Sequence, residues 1–410
     1  MKIIINKKST FVTAIYFIGV IAVMFNLNWL GYIDEIVGVI SLIYIAYRLI
    51  SRNGINLDSI KILRILNGLA IIGFLGNLIN SIQYSYLYVI EDAFLFFKPY
   101  IIFTAALLFL NRKRSVLKVK ACIQRIVRLG IVVLTFGLVF GLISNNSVLM
   151  GYSVWVPFPR LPYYVFYARY PGLLAFLLGA FNMVLLSDLL QKRNRIYMAL
   201  NVLLLFFTQS DTGLMFILVD FIFIATKLRH RVRVWQIALI AAIGLIAGWN
   251  TITTYILNPT AARSIMLSNS IKTALKYFPL GSGFSTYGGS IAANHYSRLY
   301  QNYGYRNIWG LNGAVGKADF LNDSFYPWVI AEFGLLGSLV YLALIMYLFY
   351  IFNKVQKNRM PLMYGLLVIL IANLGQGGIT SIMGMLIFIY MAILYQENYL
   401  TIDTANVDNE

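Results

Sequence analysis

Five arginines are the side chains of this sequence best suited to holding a phosphate-bearing ligand: Arg160, Arg169, Arg263, Arg298 and Arg306. A guanidinium offers five donors in a fixed fork, matches phosphate oxygens two at a time and does not lose its charge. Each of the five could equally meet a lipid headgroup or a local carboxylate. Arg169 and Arg263 stand apart because both lie at the edge of an apolar run, where a cation without a partner is uncommon. The carboxylates that could act beside them are Asp323 and Glu332. Asp323 opens an apolar run, so it is either a helix N-cap or a general base facing the preceding loop. Glu332 lies nine residues further along, ~13 Å deeper on a different helical face, so the two form no obvious acid pair. A carboxylate at that depth is a functional candidate by default, or the partner of a basic side chain on a neighbouring helix.

Three further groups complete the inventory. Lys98 lies seven residues after Glu91 and close to Asp92. The Lys98–Glu91 spacing suits a buried ion pair that fixes packing, or Lys98 could line a site for a lipid phosphate. His295, in Asn294-His295-Tyr296, is a possible base or hydroxyl partner, or an ordinary surface residue. No second His or Cys stands near it, and the only cysteine is Cys122, so neither a metal-ligand set nor a disulfide framework is expected. Asp211 sits in Ser210-Asp211-Thr212-Gly213, at a turn between two apolar runs.

The elements that must position these residues are membrane helices. Hydrophobic residues make up 60% of the chain and charged residues 12%, and the mean hydropathy is +0.75, which excludes a soluble globular domain. Apolar runs of bilayer-spanning length recur throughout, with none of the short alternating segments of a membrane barrel. Twelve spans are expected, at about 10–26, 31–50, 63–81, 86–110, 128–145, 168–187, 196–210, 212–228, 233–250, 325–352, 361–377 and 379–396. The fold class is therefore all-α, a polytopic bundle in a single membrane domain over 1–396, followed by a polar tail over 397–410 expected to be disordered.

The net charge of +18 is topological. Lys2, Lys7 and Lys8, then Arg48, Arg52, Lys61 and Arg64, then the cluster from Arg112 to Arg128 fall on one side. The same side takes Lys192, Arg193 and Arg195, then Lys227 to Arg233, then Lys354, Lys357 and Arg359. By the positive-inside rule both termini face the cytoplasm. The excess argues for anionic lipid at that surface and not for nucleic acid. No phosphate-binding loop or nucleotide fingerprint is present. The first apolar run lacks a small-residue cleavage site and is expected to stay as a span.

Two segments on the opposite side are long enough to matter. One, about 144–167, includes Trp155 and Arg160 and delivers Arg169-Tyr170-Pro171-Gly172 to the sixth span. The other, about 251–324, is long enough that a functional role is expected. Asn258-Pro259 marks a helix start, and Ile271, Ala274, Leu275 and Phe278 recur at helical spacing, so an amphipathic helix is expected to lie at the interface. Pro279-Leu280-Gly281-Ser282-Gly283 ends it. From 285 to 320 no periodicity assigns an element. Trp155, Tyr163, Tyr164, Tyr287, Tyr296, Tyr300, Tyr303, Tyr305 and Trp309 offer faces for sugars or for an interfacial belt.

Taken in order, Arg263, the helix, Pro279 to Gly283, the polar loop, Asp323-Ser324-Phe325 and Glu332 to Gly337 resemble the O-antigen polymerase and O-antigen ligase superfamily over roughly the second half of the chain. Arg169-Tyr170-Pro171-Gly172 is similar to that family's earlier outer arginine, and Ser210 to Gly213 to its Ser-Arg-Thr-Gly turn, with Asp211 replacing the arginine. Ligase members carry a His-Asn-x-Tyr pattern where this chain has Asp323-Ser324, which favours a polymerase.

The resemblance implies a bundle similar to the membrane glycosyltransferases that use lipid-linked donors (GT-C-like), in a bacterial cytoplasmic membrane. It implies an inverting, metal-independent and cofactor-free transfer of a glycan from polyprenyl pyrophosphate to the next lipid-linked repeat. Arg169 and Arg263, with Arg160 and Lys98 as further candidates, would hold the pyrophosphate, and Asp323, His295 or Glu332 would handle the proton. A chain-length regulator and a flippase are the protein partners such a system implies. A ligase uses the same parts. A lipid-linked oligosaccharide flippase is the rival from another class, although two similar halves with broken helices would be expected of it.

Overall fold

The computed structural model describes residues 7–51, 56–151, 161–226, 235, 238–239, 242, 253, 257–313, 320–323, 325–375 and 378–407. The order of the main helices is α1 (Lys7–Met24), α2 (Ile33–Ile50), α3 (Leu57–Asn80), α4 (Tyr86–Phe109), α5 (Lys113–Ser144), α6 (Pro171–Leu186), α7 (Lys192–Thr208) and α8 (Asp211–Thr226). They continue with α9 (Ala262–Lys276), two short helices α10 (Ser290–Asn294) and α11 (Arg298–Asn302), then α12 (Phe325–Lys354), α13 (Arg359–Gly375) and α14 (Ile382–Val407). A two-residue ribbon pairs Met150 with Tyr164 and Gly151 with Tyr163, antiparallel. The fold is all-α.

Among the described residues, α3, α4, α5 and α12 are long and apolar enough to cross a membrane, and three shorter apolar helices begin at Lys8, Pro171 and Arg359. Eleven of the twelve expected spans fall on a helix; the ninth, 233–250, lies almost wholly outside the described residues. The centre of the bundle is α4, α6 and the first half of α14, which are buried on nearly every face. α4 packs against α2, α3 and α14, while α6 packs against α7, α8 and α13.

Local sequence explains several boundaries. Asn56 accepts the Ser59 N–H at 2.8 Å and caps α3. Pro171 takes the first turn of α6, where its missing N–H costs nothing. Ser210 accepts the Gly213 N–H at 3.0 Å, so the Ser-Asp-Thr-Gly turn is the start of α8.

Two expectations change, the start of the outer helix and the tail. The outer helix begins at Ala262, because Asn258 spends its side chain on the Thr260 N–H (3.1 Å) and hydroxyl (2.8 Å) and closes a turn instead. Its protein-facing side is Met266, Ser270, Thr273 and Ala274, whereas Ile271, Leu275 and Phe278 are 48%, 70% and 64% exposed, so its apolar stripe points away from the bundle. The tail does not lose structure at Glu397. α14 runs on to Val407, and Glu397 is buried against Lys120 (3.0 Å), Lys357 (2.8 Å) and Asn358 (2.9 Å), which an acidic composition alone does not reveal.

The loop from Gly281 to Gly289 is buried at every position. It enters a break in α12, where Gly334 adopts φ 59° and ψ −158°. The break strands the carbonyls of Ala331 and Glu332, and these accept the N–H groups of Ser282 and Gly283, both at 2.9 Å. Leu336 beyond the break donates to the Pro279 carbonyl at 3.1 Å. From α3, Asn77 donates to the Phe284 carbonyl (2.9 Å) and accepts its N–H (2.7 Å), while Asn80 donates to the Gly281 carbonyl (2.8 Å). Irregular backbone is tolerated at membrane depth only where its polar groups are paired in this way.

The stretch after this loop, where periodicity assigned nothing, folds around tyrosines. The Tyr287 hydroxyl meets the Tyr305 hydroxyl at 2.6 Å and donates to the Met266 carbonyl at 2.7 Å, and Tyr300 accepts the Gly288 N–H at 2.7 Å. Burial pushes the Tyr305 hydroxyl up to about 12. These rings are core: Tyr164, Tyr287, Tyr300 and Tyr305 are wholly buried, and of the named aromatics that are described Trp309, at 70% exposed, is the one left fully open to a ligand.

Candidate functional site

Four helix ends meet around Arg263. It is the second residue of α9, and its Nε donates to Asp323 Oδ2 at 3.0 Å, with Nη2 on the same oxygen. The same Nη2 also donates to the carbonyl of Gly375, the last residue of α13, at 3.2 Å. Asp323 stands two residues before α12. Tyr170, the residue before α6, has Asp323, Arg169 and Arg263 as its charged neighbours. The starts of α6, α9 and α12 and the end of α13 therefore gather two guanidiniums, one carboxylate and one phenol. The Arg263 and Asp323 side chains are 24% and 27% exposed, so a ligand can reach them.

Arg169 is exposed, and among the described residues it makes no hydrogen bond or ion pair. Its charge is thus available beside a pair that is already neutral. One oxygen of the Asp323 carboxylate, Oδ2, is engaged by Arg263. An anion at the guanidinium would compete with that oxygen for its N–H donors.

The other sequence candidates lie elsewhere. Lys98 is buried in α4 and its ammonium pairs with Asp34, and at 3.0 Å with Glu35, both on α2. Glu91, the partner suggested by spacing, is not the one the fold supplies, because α2 brings two carboxylates to that point. His295 is exposed at the end of α10, with its ring stacked on Tyr88 at 3.6 Å between centroids. Nearby, Arg298 lies over the Tyr84 ring at 4.0 Å and Arg306 over the Tyr296 ring at 5.6 Å. Arg160 lies outside the described residues.

Glu332 is fully buried. Its Oε1 accepts the N–H groups of Thr286 (2.8 Å) and Tyr287 (3.0 Å), and its Oε2 accepts the Trp328 indole at 2.7 Å. Asp92 of α4 accepts the Ser285 N–H at 3.0 Å and has the Glu332 carboxyl as a neighbour. Together they collect the backbone of residues 285–287 and hold the loop in the break of α12. Sequence reasoning placed Asp92 with Lys98 and missed this pairing. It also missed Asn77 and Asn80, whose signal was legible: two amides three apart, on one face at the end of an otherwise apolar helix.

No family model matches the chain, and no curated protein is similar to it.

Proposed function

We propose that the protein is a membrane glycosyltransferase that polymerises lipid-linked glycan repeats on the outer face of a bacterial cytoplasmic membrane. In this reading the chain has twelve spans and cytoplasmic termini, and the α6–α9–α12–α13 corner faces outward. The observation that carries it is the half-buried Arg263–Asp323 pair with the charge of Arg169 beside it. A guanidinium pair at an interface suits a pyrophosphate, and the carboxylate waiting on one of them suits a proton acceptor.

The transfer follows from that arrangement. The donor's pyrophosphate takes over Arg263 from Asp323 and gains Arg169. The released Asp323 carboxylate accepts the proton of the acceptor sugar's hydroxyl as its oxygen attacks the donor's anomeric carbon. The bond from that carbon to the phosphate oxygen breaks, with inversion, and the electron pair leaves with the pyrophosphate. The guanidiniums neutralise the charge that develops there, the kind of stabilisation that contributes most to such reactions. Glu332 and Asp92 do not touch substrate in this scheme; they fix the loop that follows α9. Lys98, already neutralised by Asp34 and Glu35, holds α2 against α4.

Deletion of the gene in its host, followed by mass spectrometry of the glycans left on the polyprenyl carrier, tests the assignment. Single repeats accumulating at the outer face are the expected result. Long polymer stranded on the carrier would make the protein a ligase, and single repeats trapped on the cytoplasmic face would make it a flippase. An unchanged pool of lipid-linked glycan would sink all three.

A further inference from the structure

A cavity of about 110 Å³ opens on the side of the bundle between α1, α2 and α4, with Ile389 of α14 at its back. Its walls are almost wholly apolar and include Ile15, Val37, Ile102 and Phe109, with Ser41 and Tyr44 as the polar exceptions. The lining on α4 runs from Ile102 to Phe109, so the groove is roughly 10 Å long. Among the described residues nothing closes it over, and Phe11 and Ile40 on its rim are 45% and 46% exposed.

One end of the groove is basic. Going down α1 from Ile15 past Phe11 leads to Lys8, going down α2 from Val37 past Tyr44 leads to Arg48, and going past Phe109 at the end of α4 leads to Arg112. The three are electrostatic neighbours: Lys8 feels both Arg48 and Arg112, and Tyr44 feels Arg48. The Lys8 ammonium sits at the mouth, 3.5 Å from the Phe109 carbonyl and 5.0 Å from the centre of its ring. The Tyr44 hydroxyl donates across the seam to the Leu108 carbonyl at 3.3 Å, ties α2 to α4 and keeps the lower wall in place.

We infer that this groove is a binding site for an anionic glycerophospholipid, with one acyl chain laid between α1, α2 and α4 and the phosphate held by Lys8, Arg48 and Arg112. The apolar walls face the lipid phase, so what fills them in a membrane is hydrocarbon. Dimensions limit the occupant to part of a single chain, which a packed helix of a second subunit is not. Three crowded cations select the headgroup, since each basic side chain at such a surface adds roughly a fivefold preference for an anionic lipid. The site is independent of the glycan chemistry, because neither its lining nor its basic mouth includes Arg169, Arg263 or Asp323.

Native mass spectrometry of the full-length protein in detergent, titrated with dioleoyl phosphatidylglycerol or dioleoyl phosphatidylcholine, tests the inference. One tightly retained phosphatidylglycerol per chain is expected, favoured over phosphatidylcholine on the order of a hundredfold. The Ala106→Phe variant fills the groove and should lose that retained lipid while all three cations remain. Lys8→Gln/Arg112→Gln alters only the mouth and should still hold a chain, but with the preference cut roughly thirtyfold. Gel filtration confirms that each variant remains a folded species of the same size. Equal retention of the two lipids by the unaltered protein would overturn the proposal, as would full retention by Ala106→Phe. So would a co-purified polyprenyl phosphate in the groove, or a dimer that Ala106→Phe dissolves.

Discussion

Gly281→Ala is the sharpest perturbation of the frame that holds the site. Gly281 has φ +79°, and a Cβ there would lie 2.3 Å from the Gly334 nitrogen, 2.6 Å from the Glu332 carbonyl oxygen and 2.7 Å from that of Ala331. All three are backbone atoms, so no side chain can swing aside. The left-handed backbone alone costs an alanine about 1–2 kcal/mol. Relief of the contacts requires the loop to withdraw from α12 by several tenths of an ångström or more. That weakens the Ser282–Ala331 and Gly283–Glu332 hydrogen bonds and leaves buried backbone groups unpaired, at about 1–3 kcal/mol each. The sum is about 5 kcal/mol.

Gly304→Ala is the control. Gly304 has φ +66° but nothing within 4 Å of the new Cβ, so it should lose only the conformational part, about 1 kcal/mol. Unfolding by dodecyl sulfate in mixed micelles, followed by tryptophan fluorescence, compares the two. Amide exchange over residues 281–289 should accelerate in Gly281→Ala and not in Gly304→Ala. A folded product from Gly304→Ala and none from Gly281→Ala also agrees with the argument. Equal losses in the two variants would refute it.

Arg263→Lys should lose most polymer synthesis although it keeps the charge, because a two-pronged donor becomes a point charge; near-normal polymer in a deletion strain complemented with the variant would remove Arg263 from the proposed chemistry. Loss of the Arg263–Asp323 pair itself should cost no more than about 1 kcal/mol of stability, since both side chains are partly exposed, so activity and stability should separate in Asp323→Asn. Lys98→Met strands the Asp34 carboxylate, which is 3% exposed, and should destabilise by about 3–5 kcal/mol in the same unfolding assay; Glu35→Gln, at a carboxylate 33% exposed, should cost far less. Glu397 gives a pH dependence: burial raises its pKa, but Lys120, Lys357 and Asn358 outweigh this and hold it below the ordinary 4.5. A depressed folded value means that its contribution is complete above the unfolded pKa and is lost as the pH falls through the folded one, so stability should drop below about pH 4.5 and that part of the drop should vanish in Glu397→Gln.

Composition and apolar run length were enough to establish an all-helical membrane protein, because a helix is the cheapest way to pair a backbone in hydrocarbon and its length is set by the bilayer. Short-range chemistry also set several helix starts, as Asn56, Pro171 and Ser210 illustrate. The position of Arg263, Arg169 and Asp323 at run boundaries was legible. That they belong to one corner was not, since Arg263 and Asp323 are 60 residues apart and meet only because α9 packs along α12. Charge partners were the least legible feature. Spacing along one helix pointed Lys98 to Glu91, but α2 supplied Asp34 and Glu35, and a sequence carries no record of which neighbour a helix face will meet. Likewise Pro279 to Gly283 follows the end of α9 as the sequence indicated, but that it also fills the break in α12 was not legible. Local sequence determines which backbone groups an element leaves unpaired; only the tertiary structure decides who pairs them.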